Sequence, residues 1–157
     1  MSTGLAVKAF DSLVKRVRDK LGAPEPLPLE LKDQFLWSFM LWEASLADAE
    51  RAMKKLTGAF IDLNEVRVSL PEEIVAAIGP RYPKADERAQ RLKNSLHSLF
   101  LREHAISFDH LKDMPKRSAR QYLDGLDQIP PFVAGRVMLL GLGGHAAPLD
   151  QRMLDML

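Results

Sequence analysis

Apolar side chains recur at spacings of three and four along most of this 157-residue chain, and glycine or proline interrupts the pattern before any stretch grows long. That rhythm lines apolar residues along one stripe of a helix. No sustained run of period two exists to make a half-buried strand. The expected fold class is therefore all-α: a compact multi-helix bundle of short helices and short loops, forming a single helical domain over 1–157. A chain of this length can bury roughly 70% of its extended surface. Its 46% hydrophobic and 27% charged residues give it globular rather than disordered composition.

Residues 1–22 read as an N-terminal helix with Phe10, Leu13, Val14, Val17 and Leu21 on one face, Lys8, Lys15, Arg16 and Arg18 opposite, and Gly22 as its stop. Residues 23–28, with proline at every second position, read as a stiff extended connector. The helical core spans 29–125. It opens with a helix over Leu31–Trp42 that is apolar on most sides. A Ser45–Asp48 capping box then starts a helix ending at Gly58. Residues 59–68 read as irregular, and a second box, Ser69–Glu72, starts a short helix ending at Gly79-Pro80. A long helix follows over about Lys84–Glu103, then a turn capped by Ser107, then a helix from Pro115 to Leu123 stopped by Gly125. Over 126–142 a tight turn, Leu126–Pro131, leads into an apolar helix, and over 148–157 Asp150 starts a last helix.

The chain has no cysteine, which excludes disulfides, thiolate metal sites, cysteine-held iron–sulfur clusters and a cysteine nucleophile. His97, His104, His110 and His145 lack metal-ligand spacing, and no phosphate-cradling glycine loop or serine elbow occurs, so no metal and no cofactor is expected. No apolar run approaches the ~18 residues that cross a bilayer, and the first ten residues do not resemble a secretory signal. A cytoplasmic protein that does not meet the membrane is expected. With a net charge of +1, any nucleic-acid contact must come from local patches; the densest is Lys112, Lys116, Arg117 and Arg120.

The order helix, six-residue turn, helix, glycine-rich loop and Asp at a helix start, LDGLDQIPPFVAGRVMLLGLGGHAAPLDQRML over 123–154, resembles the helix-hairpin-helix DNA glycosylase superfamily, in its endonuclease III-like branch. Members show a leucine, a Pro-Gly-Val-Gly turn, a lysine in the lyases, an apolar helix and a Val-Asp at the next helix start. Leu126, Ile129, Pro131, Ala134, Val137, Pro148, Leu149 and Asp150 fall in register. The resemblance extends more loosely over about residues 30–157, including 60–78 and the apolar stretch 35–46.

The resemblance implies base-excision repair of double-stranded DNA carrying a damaged base. The turn's N–H groups would grip a phosphate without reading sequence, and the Asp150 carboxylate would stabilise charge as the glycosidic bond breaks. The implied DNA contacts are Gln128, Ile129, Pro130, Phe132, Val133 and Arg136, to which the basic patch adds Lys116, Arg117 and Arg120. A DNA-binding chain of this kind would be nucleoid-associated.

The sequence also departs from the pattern. Gln128 and Pro130 replace the two turn glycines, and Pro130 brings no N–H. Phe132, 18 residues before Asp150, stands where lyases carry the lysine that forms a Schiff base. Enzyme action is thus at most monofunctional N-glycosylase chemistry through Asp150, which reads equally as a helix N-cap. A catalytically inactive DNA-binding module remains an alternative. The chain stops seven residues after Asp150, short of the family's later helices and four-cysteine cluster. A protein partner or homodimer covering that C-terminal side is therefore a third reading. Trp37 and Trp42 lie in the most apolar helix, where core packing competes with stacking on an extruded base.

Overall fold

A computed structural model describes residues 2–21 and 29–156; the predicted connector 23–28 and the Gly22 stop lie outside them. Every regular element among the described residues is helical. They run α1 (Ser2–Leu21), α2 (Leu31–Leu41), α3 (Leu46–Ala59), α4 (Leu63–Val68), α5 (Pro71–Ile78), α6 (Ala85–Glu103), a 3-10 turn (Asp109–Asp113), α7 (Lys116–Asp124), α8 (Pro131–Arg136) and α9 (Gln151–Leu154). Past Arg136 the α8 backbone widens into a π-helical turn over Val137–Gly141, closed by Leu142 N–H on the Val137 carbonyl at 3.1 Å.

Local chemistry sets the boundaries. Ser45 Oγ accepts the Asp48 N–H at 3.1 Å and so opens α3, as the capping pattern predicts. Two expectations need correction. The segment 59–68 is not irregular, because Asp62 caps α4 by accepting the Glu65 N–H (2.8 Å) while Glu65 reaches back to the Ile61 N–H. Ser69 does not open α5: its hydroxyl donates to the Glu65 carbonyl at 2.7 Å and closes α4. The first residue of α5 is Pro71, with Glu73 accepting the Leu70 N–H at 2.7 Å.

The core gathers on α2 and α6. Phe35 and Phe39 of α2 pack edge to face with ring centroids 5.1 Å apart, and Phe108 closes on Phe35 at 4.9 Å. Leu92, Leu96 and Leu99 on α6 are fully buried, as are Leu123 on α7 and Val133 and Ala134 on α8. Each buried side chain of Leu or Phe size contributes about 1.5–3 kcal/mol, and this shared core holds α8 against α2 and α7. Gly135 lets the non-helical strap over 142–150 come close: a Cβ there would stand 3.3 Å from both Cα and Cβ of Pro148. The strap thereby crosses α8 and delivers residue 150 to the end of α2. By contrast, the apolar face of α1, with Val7, Phe10, Leu13 and Val17, lies exposed.

Candidate nucleic-acid interface

The hairpin is α7, the turn 125–130 and α8. One stripe of α6 holds its carbonyls. Arg102 donates to the Tyr122 and Gly125 carbonyls, Ser95 to that of Asp127 at 2.9 Å, and Arg91 to that of Gln128 at 3.2 Å. These positions, 91, 95 and 102, share one helix face. In a trans peptide C=O and N–H point oppositely, so drawing the Asp127 carbonyl onto buried Ser95 turns the Gln128 N–H outward.

Gln128 itself sits at φ +58°, in the left-handed well that a side chain resists. Gly125, the predicted helix stop, has an ordinary φ of −87°. The reversal of hand therefore falls at a glutamine. Within the turn, the N–H groups of Asp127 and Gln128 meet no protein acceptor among the described residues, whereas that of Ile129 bonds to the Leu126 carbonyl at 3.3 Å.

Asp150 lies across the corner where α2 gives way to α3. Its Oδ1 caps α9 by accepting the Met153 N–H at 2.9 Å, and its Oδ2 accepts the Glu43 N–H at 2.7 Å. Glu43, at φ +55°, answers in kind: its carboxylate accepts the Gln151 and Arg152 N–H groups, each at 3.1 Å. This reciprocal clasp joins two chain segments through three hydrogen bonds, and a fourth, the α9 cap, lies within the second segment. It leaves Asp150 7% exposed, a walled-in carboxylate. Since α9 buries no side chain, the clasp rather than apolar packing holds it in place.

Behind the clasp Arg88 is fully buried. It donates to the carbonyls of Phe39 and Trp42, the orphan acceptors at the end of α2, and to Pro83 at 2.9 Å. Burial pushes its guanidinium well below the ordinary arginine value, down to about 10. Lys84, Arg88 and Arg91 all stand over the Trp42 ring, at 5.1, 5.4 and 5.5 Å. A continuous chain of contacts thus runs from Asp150 through Glu43 and Trp42 to Arg91 and the hairpin turn.

The residues expected to meet DNA separate sharply. Gln128 is exposed at the turn. Ile129, Pro130, Phe132 and Val133 face the core, so their side chains are not surface contacts: the apolar run that suggested a helix is the face α8 buries. Arg136 is half-buried over the Phe132 ring, with its Nε unpartnered among the described residues and burial lowering its pKa. Two of the four cations near α7 are paired with carboxylates. Lys116 caps the Leu142 carbonyl, Arg120 pairs with Asp124 at 2.7 Å, and Lys112 pairs with Asp109 at 2.6 Å; Arg117 is left exposed without an ion pair among the described residues. Trp42 is buried and Trp37 partly so.

Sequence reasoning missed Arg88, Arg91, Ser95 and Glu43 as organising residues. Arg88 had a legible signal, lying between Ala85 and Leu92 on the apolar stripe of α6. Glu43 had none, because its partner is 107 positions away.

Among the described residues no cluster of His, Cys, Asp or Glu is placed to hold a metal, and no helix is long and apolar enough to cross a membrane. No protein-family model matches the chain, and no curated protein matches it.

Proposed function

We propose that this chain is a DNA-binding protein of the helix-hairpin-helix DNA glycosylase type, which grips a duplex phosphate through its 125–130 turn and uses Asp150 to hold its own fold together. The observation that carries this reading is Gln128 at φ +58°. A non-glycine residue is held in a glycine conformation at the turn position where the resembling family has glycine. The α6 stripe supplies the hydrogen bonds that offset the strain, about 1 kcal/mol or more. The outward Gln128 N–H then meets an anion as backbone nests do.

Two features weaken that grip. Pro130 brings no N–H, and exposed Asp127 sets beside the turn a carboxylate without an ion pair among the described residues. Modest, sequence-independent and salt-sensitive binding follows. Schiff-base chemistry at position 132 is absent because the residue is a buried phenylalanine.

The test is the affinity of an undamaged duplex across a salt series for the native chain, Gln128→Glu and Asp150→Asn. Log affinity should fall linearly with log salt, Gln128→Glu should weaken binding, and Asp150→Asn should leave it unchanged once folded protein is counted. Undetectable or salt-independent binding contradicts the proposal.

The other reading, a monofunctional N-glycosylase acting through Asp150, requires the clasp to open, because both oxygens of that carboxylate are engaged and it is walled in. Once freed, the carboxylate would stabilise positive charge on the sugar as the base leaves. Its test is base release from duplexes carrying varied lesions. Release at the uncatalysed rate by both native protein and Asp150→Asn removes the enzyme reading.

A further inference from the structure

The α5–α6 loop, Gly79-Pro80-Arg81-Tyr82-Pro83, faces the outer side of α3 across an open groove of about 480 Å³. Arg51, Lys55 and Arg81 line it, against a single carboxylate, Asp48. That carboxylate is already engaged. It accepts from the Ser45 hydroxyl at 2.6 Å and pairs with Arg51, and these contacts, with the nearby charge of Arg152, hold its pKa below the ordinary carboxylate value. Lys55 and Arg81 are exposed and make no hydrogen bond or ion pair among the described residues.

The loop carrying Arg81 is stiff by construction. Prolines flank the Arg-Tyr pair, the Tyr82 hydroxyl donates to the Met40 carbonyl at 2.6 Å, and buried Arg88 clamps the Pro83 carbonyl at 2.9 Å. A cation on so fixed a support loses little backbone freedom on meeting an anion.

We propose that this groove is a second phosphate-contact site, taking the DNA backbone at a point apart from the hairpin. This rests on the duplex-binding reading above. Arg88 ties the two contacts together: it holds Pro83 behind the groove and Trp42 behind Arg91, which in turn holds the Gln128 carbonyl of the hairpin turn. Lys55 and Arg81 each neutralise one phosphate and release its counterions.

The experiment is the salt dependence of undamaged-duplex affinity for the native chain, a Lys55→Ala/Arg81→Ala double variant and a Lys54→Ala control. Both groove side chains are exposed, so the native melting temperature should be kept. The double variant should lower the log–log slope by about 2, so that the native chain's advantage shrinks about tenfold between 50 and 200 mM salt. Lys54, next along α3 but not lining the groove, should have the smaller effect. An unchanged slope in the double variant overturns the groove while leaving duplex binding intact. An equal loss per lysine in the control also overturns it, since bulk charge then suffices. A native chain without salt-dependent binding removes both the groove and the function it serves.

Discussion

Replacing Asp150 with alanine removes two hydrogen-bond acceptors from a junction that has almost no apolar packing to fall back on. The lost N-cap costs about 0.5–2 kcal/mol, at the low end here because the Met153 N–H is near solvent. Leaving the Glu43 N–H without its acceptor costs about 1–3 kcal/mol. Together the loss is about 1.5–3.5 kcal/mol, or roughly 3–14 °C in melting temperature for a domain of this size. Asp150→Asn should cost less, since Oδ1 still caps α9 while the new amide turns a donor toward the Glu43 N–H. Glu43→Gln alone should cost about 1 kcal/mol. The two residues clasp one junction, so the double variant Asp150→Ala/Glu43→Gln should fall short of additivity by about 1 kcal/mol. Urea unfolding of the native chain and these four variants measures all of this. If Asp150→Ala costs under about 0.5 kcal/mol, or the two losses simply add, the clasp does not exist as described.

Gln128→Gly should stabilise the chain by up to about 1 kcal/mol in the same urea assay, because glycine takes φ +58° without strain; a loss of stability would mean the turn is not left-handed. Arg88→Met should cost about 3–5 kcal/mol, since it strips the donors from three carbonyls at the α2 end and the loop before α6, and a variant within 1 kcal/mol of native refutes that role. The lowered Asp48 pKa contributes stability that is complete above the ordinary value of 3.8 and lost as pH falls through the lower folded value. Asp48→Asn should therefore flatten that part of the acid limb in pH-dependent thermal melts.

Helix type was legible wherever periodicity was long or a cap was spelled out: the stripe of Leu92, Leu96 and Leu99, and the pair Ser45 and Asp48, each describe an observed element. Short elements escaped. Helix α4 has six residues and an Asp62–Glu65 cap in place of the expected Ser or Thr, so local pattern pointed to a loop. The hairpin's order was readable, but which face of α8 is buried was not, because an apolar run does not say which of its members meet the core. Phe132 and Val133 were consequently assigned to a surface they do not reach. Asp150's capping role was readable from residue type alone. Its second bond was not, since it depends on bringing Glu43 across 107 positions. The partners of the basic cluster were not readable either: Arg120 and Lys112 meet carboxylates and Lys116 a carbonyl only once the chain is folded.

The most direct test of the hairpin's role is the backbone amide resonance of Gln128 during titration with an undamaged duplex, followed by heteronuclear NMR. An N–H that captures a phosphate should move early and saturate with the bound fraction, and Gln128→Glu should shift that titration to higher DNA concentration. If the Gln128 amide stays still while DNA binds elsewhere, or no amide moves at all, the hairpin does not grip DNA.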